Sequence, residues 1–190
     1  MNPESARARG SSETVRLADL LVYLGRATRL NSTRIQKLIY LVEAEYADAN
    51  GRRLFDYEYR FHDHGMYSEA LRARVLQIAQ ASGSPFKFRQ YVAPSGGMGF
   101  ELTVRDDAGE AALPGAVKRA ADVVIRDFAR IEGTRPLAAA AKKTLPFYGT
   151  PKGSVVDWLI LTDPDLRDGD SKEVLHEKGR KRLHAAMRIP

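Results

Sequence analysis

The residues best suited to a reaction centre lie in one short run, His62-Asp63-His64-Gly65-Met66-Tyr67-Ser68. Two histidines two positions apart on an extended segment point to the same face, and with Asp63 they have the donors of a metal site. A zinc site needs three or four protein ligands, however, and the other histidines, His176 and His184, lie far along the chain. We therefore predict no metal and no cofactor, and we interpret the pair as histidines at a tight turn.

Ser68 follows these histidines closely enough to suggest a nucleophile beside a base. The surrounding run, Gly65 to Ala70, lacks the Gly-x-Ser-x-Gly pattern of a nucleophile elbow. A serine directly before an apolar periodic run is a typical helix N-cap. We predict that Ser68 caps a helix and that the chain has no catalytic residue. A hydrolase built on His62, His64 and Ser68 is the minor alternative.

A second set of residues has the chemistry of nucleic-acid recognition. Arg and Asn side chains make bidentate contacts to base edges, while Thr and Lys bind phosphate. These types are concentrated around the start of the second predicted helix, at Arg29, Asn31, Thr33, Arg34 and Lys37. The competing interpretation is the solvated rim of an ordinary amphipathic helix pair, which we favour.

Apolar periodicity predicts the elements that position these groups. Two helices, over 13–27 and 32–49, are expected to pack together and to hold the 62–68 corner beneath them. Alternating aromatics over 55–61 predict an extended segment packed on the helices, and a third helix is predicted over 69–81.

The second half of the chain contains a hairpin pattern and weaker helical patterns. Two β-like runs, 86–92 and 100–104, flank a glycine-rich turn and predict a hairpin within 86–104. Further helices are predicted over 114–132 and 136–143. A broken loop over 144–153 and a short apolar segment over 155–161 complete the predicted domain.

The predicted fold is mainly α with a small antiparallel β-hairpin, loosely winged-helix-like, in a single domain over 13–161. We predict a disordered lead-in over 1–12, which is polar and rich in small residues. Residues 162–190 are predicted to be a basic C-terminal tail.

Composition excludes several classes of protein. The 190 residues include no cysteine, which removes disulfide scaffolds, thiolate zinc sites and cysteine nucleophiles. No apolar run approaches the length needed to span a bilayer, and the first residues lack the apolar core of a secretory signal. We therefore expect a cytoplasmic protein without membrane contact. The formal net charge of +6 permits either nucleic acid or an acidic protein as the partner.

Two motifs resemble the YwgA-like and SocA-like proteins of the Panacea superfamily. The first is Thr33-Arg34-Ile35-Gln36-Lys37-Leu38-Ile39-Tyr40-Leu41, and the second runs from Tyr59 through the His62–Ser68 corner to Leu71. Here His64 replaces the family's aromatic residue and Met66 its proline. The resemblance covers about 15–105.

The resemblance implies a function in binding, without chemistry. Some members of the superfamily are antitoxins that neutralise toxins by direct binding, and the SocA-like group delivers a toxin to a protease. The expected partner is therefore a protein, a toxin or a protease substrate, and Gln36 and Lys37 are expected to reach the surface and contact it. The candidate partner-binding or motif residues are Arg34, Gln36, Lys37, Tyr40, His62, His64, Gly65, Tyr67 and Ser68. A DNA-binding transcriptional regulator, using the second helix and the basic tail, is the alternative.

Overall fold

The computed structural model describes residues 15–62, 65–93, 96–131, 133, 135–148, 150, 152–156 and 158. The described residues are roughly half helical, with a small three-stranded antiparallel sheet and a separate two-stranded one. The described helices are α1 (Leu17–Ala27), α2 (Ser32–Asn50), α3 (Glu69–Gln80), α4 (Gly115–Phe128), α5 (Arg135–Ala141) and the single turn α6 (Leu145–Tyr148). The described strands are β1 (Leu30–Asn31), β2 (Arg60–His62), β3 (Gly65–Tyr67), β4 (Phe86–Val92) and β5 (Met98–Val104).

The main sheet has the order β1-β5-β4 and is antiparallel throughout. Strands β4 and β5 pair from Phe86↔Val104 to Val92↔Met98, so the predicted hairpin is confirmed, with β5 starting two residues early. Strand β1 joins the far edge through Leu30↔Leu102. The sheet therefore connects the start of α2 to the hairpin.

Helix α2 forms the centre of the molecule. Thirteen of its 19 residues are buried, because α3, α4, α5 and both sheets pack around it. The predicted caps are confirmed: the Asn31 side chain accepts from the Arg34 N–H at 2.8 Å, and Gly51 ends the helix at φ 66°. Glycine adopts this left-handed conformation without the steric cost that a Cβ brings.

Helix α1 departs from the prediction in its start and in its neighbours. It begins at Leu17, after Val15 and Arg16, and positions 13 and 14 lie outside the described residues. Its principal neighbours are β5, α4 and α3 rather than α2. The short strand β1 lies between α1 and α2 and directs α1 onto the sheet.

The extended segment before α3 packs as the alternating aromatics predict. Tyr59 is fully buried, and Tyr57 and Phe61 are partly buried, while the residues between them are exposed. A later segment lies alongside this one, since the Val156 N–H donates to the Tyr59 carbonyl at 2.8 Å. Trp158 then packs against the Tyr59 ring.

The later helices are shorter than the sequence predicts. Helix α4 ends at Phe128 and α5 at Ala141, and the predicted loop over 144–153 contains the α6 turn. None of the described helices combines the length and the apolar character that crossing a membrane requires. The predicted lead-in over 1–12 and the tail over 162–190 lie outside the described residues.

Candidate functional site

The corner between β3 and α3 is attached to α2 by side-chain hydrogen bonds. The Gln36 amide donates to the Ser68 carbonyl at 2.9 Å, and the Ser68 N–H donates back to Gln36 Oε1 at 3.0 Å. The Lys37 ammonium donates to the Met66 carbonyl. These buried side chains bond to main-chain groups of the corner, and the Ser68 carbonyl also accepts from the Arg72 N–H at 3.1 Å. The prediction that α2 holds this corner is confirmed. The described hydrogen bonds that hold it come from α2 and not from α1.

Ser68 caps α3, as predicted. Its Oγ accepts from the Leu71 N–H at 3.3 Å, and the residue is only 1% exposed. His62 is exposed and meets the Tyr67 ring edge-on, with centroids 5.8 Å apart. His64 and Asp63 lie outside the described residues. The Ser68 hydroxyl therefore serves the helix end, as the N-cap interpretation predicts.

Gly65 is favoured at this corner by its backbone conformation. Its φ of +91° is a left-handed conformation that other residues adopt only with strain. A Cβ built there would lie 3.5 Å from Lys37 Nζ and 3.4 Å from Lys37 Cε. These distances are ordinary van der Waals contacts, so the positive φ is what favours glycine here.

A cleft of about 820 Å³ opens beside this corner. Its cations are Lys37 from α2, Arg72 from α3, Arg135 from α5 and Lys142 just after α5. No Asp or Glu contributes to the described lining, and within the described part of the chain these four cations form no ion pair. The described lining is therefore positively charged, and the Glu69 carboxylate accepts from the hydroxyl of the lining residue Tyr67.

Other lining groups add hydroxyls and a small apolar surface. Ser32 and Thr33 contribute hydroxyls at the start of α2, and His62 and Tyr67 contribute rings. Met98, at the start of β5, is 56% exposed and forms part of the wall. Hydroxyls and cations together suit a ligand that carries several anionic oxygens.

Lys37 is the most deeply buried of the four cations, at 3% exposure. Burial lowers its pKa to about 8, and the nearby positive charge of Lys142 adds to the effect. Both causes disfavour the charged ammonium, and the negative charge of an anion bound in the cleft would offset them. This electrostatic environment favours an anionic ligand.

The expectation that the Gln36 and Lys37 side chains contact a partner at the surface is wrong. Gln36 and Lys37 do not reach the open surface, because both are 3% exposed and face the corner. Tyr40 is fully buried, and its hydroxyl lies 2.6 Å from the Thr144 hydroxyl. These motif residues hold the core together, and of the three only Gln36 and Lys37 touch the cleft.

Arg34 has a structural position that the nucleic-acid hypothesis did not anticipate. Its guanidinium donates to the carbonyls of Ile131 and Phe128, both at 2.7 Å, and of Ala129 at 3.1 Å. A cation at the end of α4 satisfies the free carbonyls there and complements the helix dipole. Arg34 is 5% exposed and thus closed to a DNA groove.

The other residues of that hypothesis do not form an open basic surface either. Arg29 is paired with Glu101, and Asn31 caps α2, which leaves Thr33 exposed in the cleft wall. Helix α2 is enclosed by its neighbours, so it cannot enter a major groove. The prediction of DNA contacts through α2 is wrong for this physical reason.

Sequence reasoning did not single out Arg72, Arg135 or Lys142. Arg135 and Lys142 lie seven positions apart, which is two helical turns and one face, so the spacing contained a signal. Their convergence with Lys37 depends on the packing of α5 against α2 and β3, which no local pattern specifies.

A buried cluster around Glu43 was also missed. Glu43 is fully buried on α2, accepts from the Tyr59 hydroxyl at 2.9 Å and pairs with Arg53 at 3.2 Å. Burial raises the pKa of Glu43 to about 7, although Arg53 and Tyr59 oppose the rise. The Arg53 guanidinium lies 4.8 Å from the Trp158 ring and closes the cluster.

Among the described residues, no group of three or more His, Asp or Glu side chains is placed to hold a metal ion. No protein-family model, curated protein or solved structure matches the chain. The site is therefore interpreted from its own geometry and charge.

Proposed function

We propose that this chain is a non-enzymatic regulatory binding protein that holds an acidic segment of a partner protein in the cationic cleft. An antitoxin or a proteolytic adaptor, in the manner of the Panacea superfamily that its motifs resemble, is the form we favour. We place it in the cytoplasm. The observation that carries the proposal is the convergence of four cations in one cleft whose described lining holds no carboxylate.

The rigidity of the cleft floor supports the proposal. Gln36 and Lys37 are fixed between α2 and the corner, so the ammonium of Lys37 is positioned before a ligand arrives. Preorganisation lowers the entropy that association costs. The net charge of +6 would also accelerate encounter with an acidic partner.

The test uses a labelled Asp/Glu-rich peptide and its Asn/Gln counterpart as a neutral control. We expect the acidic peptide to bind in fluorescence anisotropy, and its affinity to fall as salt rises, because the Debye length shortens from ~10 Å at 0.1 M. The double variant Arg135→Ala/Lys142→Ala should lose at least ~10-fold in affinity, which corresponds to about 1.4 kcal/mol.

The matched control variant is Lys118→Ala/Arg119→Ala, which removes two positive charges from the exposed side of α4, away from the described cleft lining. It should bind the peptide within twofold of the wild type. Equal affinity for the acidic and amide peptides, or equal losses in the two double variants, would refute the proposal.

A DNA-binding regulator is the second candidate, and the order of the elements favours it. Helix, strand, helix, helix and hairpin, with the sheet order β1-β5-β4, support a winged-helix-like domain in which α3 would be the recognition helix. Arg74 on α3 and Lys87 on the hairpin are exposed. The insertion of β2 and β3 between α2 and α3 does not interrupt that order.

This candidate predicts duplex binding at ~50 mM salt that weakens steeply as salt increases. Arg74→Ala/Lys87→Ala should weaken it, whereas Lys118→Ala/Arg119→Ala should not. A mobility-shift assay without any duplex binding at that salt concentration would remove the candidate.

A further inference from the structure

We propose that the same cleft also binds a small ligand of the nucleoside polyphosphate class, which carries linked phosphate groups and a ring. The inference goes beyond the proposed function, because it requires no partner protein. It rests on the number of charges in the cleft, on its size and on the groups at its rim.

The charge of the cleft exceeds what one carboxylate can neutralise. Lys37, Arg72, Arg135 and Lys142 bring four formal positive charges from α2, α3, α5 and the turn after α5. No carboxylate in the described lining offsets them. A chain of phosphates carries several negative charges within a few ångströms and therefore matches this set more closely than a single acid.

The types of cation also fit phosphate. Guanidinium groups such as those of Arg72 and Arg135 bind phosphate oxygens in a bidentate manner, whereas a lysine acts as a point charge. Ser32 and Thr33 add hydroxyl donors to the same wall. Together these groups can surround tetrahedral phosphates from several sides.

The size and the remaining lining indicate that the ligand is more than a free phosphate. A volume of about 820 Å³ lies within the ~300–1,000 Å³ of small-molecule sites. The edge-on pair of His62 and Tyr67 and the side chain of Met98, 56% exposed, provide rings and apolar surface in the same cleft. A purine or similar ring has a place to stack there.

The experiment is isothermal titration calorimetry of the full chain at ~0.1 M salt, where surface charges more than ~10 Å apart are largely screened. The probes are inorganic tripolyphosphate and ATP, both without divalent cations. We expect both to bind, with ATP at least several-fold tighter because of its ring, and Met98→Ala to reduce that difference. Equal affinity for ATP and tripolyphosphate would overturn the assignment of a ring site.

The variants locate the binding. Arg135→Ala/Lys142→Ala should lower the affinity for both probes by at least tenfold. Lys118→Ala/Arg119→Ala should leave both affinities within twofold of the wild type. The single exposed-site variant Arg135→Gln gives an independent measurement should the double variant fold poorly. No heat of binding from either probe at millimolar concentration, or equal losses in the two double variants, would overturn the inference. The acidic peptide would still bind in that case if the proposed function is correct, so the two failures are distinguishable.

Discussion

Helix α2 contributes one buried ionisable side chain to each of two regions, and the partners of these two side chains differ. At Glu43 the carboxylate is enclosed and balanced by Arg53 and the Tyr59 hydroxyl. At the cleft, Lys37 has a main-chain carbonyl as its partner and the like charge of Lys142 nearby. A buried ionisable group with partners within the chain belongs to the hydrogen-bond network of the fold, whereas one left beside like charges and a cavity is suited to a ligand.

The largest effect of a substitution on stability is expected at Glu43. Glu43→Ala opens space in the core and leaves the buried Tyr59 hydroxyl without its acceptor, while Arg53 keeps the Tyr57 carbonyl, so we expect the free energy of unfolding to fall by about 3–4 kcal/mol. Urea unfolding measures it. Glu43→Gln, which retains a hydrogen-bonding group of the same shape, should lose clearly less. Equal losses for the two variants would contradict the role assigned to this cluster.

Substitution of Gln36, which attaches the corner to α2 beside the cleft, should have an intermediate effect on stability. Gln36→Ala removes both hydrogen bonds to Ser68 and leaves the buried Ser68 N–H without an acceptor, while the Ser68 carbonyl keeps the Arg72 N–H, so we expect the free energy of unfolding to fall by about 1–3 kcal/mol. Thermal or urea unfolding measures this loss. Gln80→Ala, at the exposed end of α3, is the matched control and should stay within ~0.5 kcal/mol of wild type. A wild-type stability for Gln36→Ala would disprove the attachment of the corner.

The pH dependence distinguishes the same two regions. The pKa of Glu43 is raised to about 7 in the folded protein, from an ordinary 4.5, so the folded state binds this proton more tightly than the unfolded state. The stability linked to that proton is fully present below pH 4.5 and is lost as pH rises towards 7. We therefore expect the wild type to lose stability relative to Glu43→Gln over this range.

Unfolding free energies of both proteins, measured across pH 4.5–8, check this expectation, since their difference cancels other titrating groups. Lys37 acts in the opposite direction, because its pKa is lowered to about 8 from 10.5. The free-energy cost of burying its ammonium falls as pH rises above 8, so its contribution to stability increases there. A difference between wild type and Glu43→Gln that does not vary with pH would contradict the raised pKa of Glu43.

The smallest effect on stability is expected in the open region. Arg135→Ala/Lys142→Ala removes two like charges near Lys37, so we expect the free energy of unfolding to change by less than ~0.5 kcal/mol. Differential scanning calorimetry at low salt checks it. A loss of several kcal/mol would mean that these cations stabilise the fold, and the contrast with Glu43 would disappear.

Local signals in the sequence predicted most of the elements. The Asn31 and Ser68 caps, the Gly51 stop and the hairpin depend on neighbours within a few residues, and all four are confirmed. The alternating aromatics around Tyr59 likewise predicted its burial.

The placement of polar side chains could not be predicted in the same way. Arg34 and Lys37 look like surface residues in the sequence, yet both are buried. Arg34 donates to the Ile131 carbonyl and Lys37 to the Met66 carbonyl, and both carbonyls belong to distant segments. The cleft needs α5 to lie against α2, and the Glu43 cluster needs the segment after it to fold back. Such contacts depend on tertiary packing and leave little trace in local periodicity.

The most direct test of the account is to map where the acidic peptide binds, by following the amide resonances of the labelled protein during a titration. The account predicts that the shifts concentrate at cleft residues such as Thr33, Gly65 and Ala139, and that Arg135→Ala/Lys142→Ala abolishes them. Shifts concentrated instead on the exposed face of α3 and on the hairpin, with the cleft amides unmoved, would contradict it.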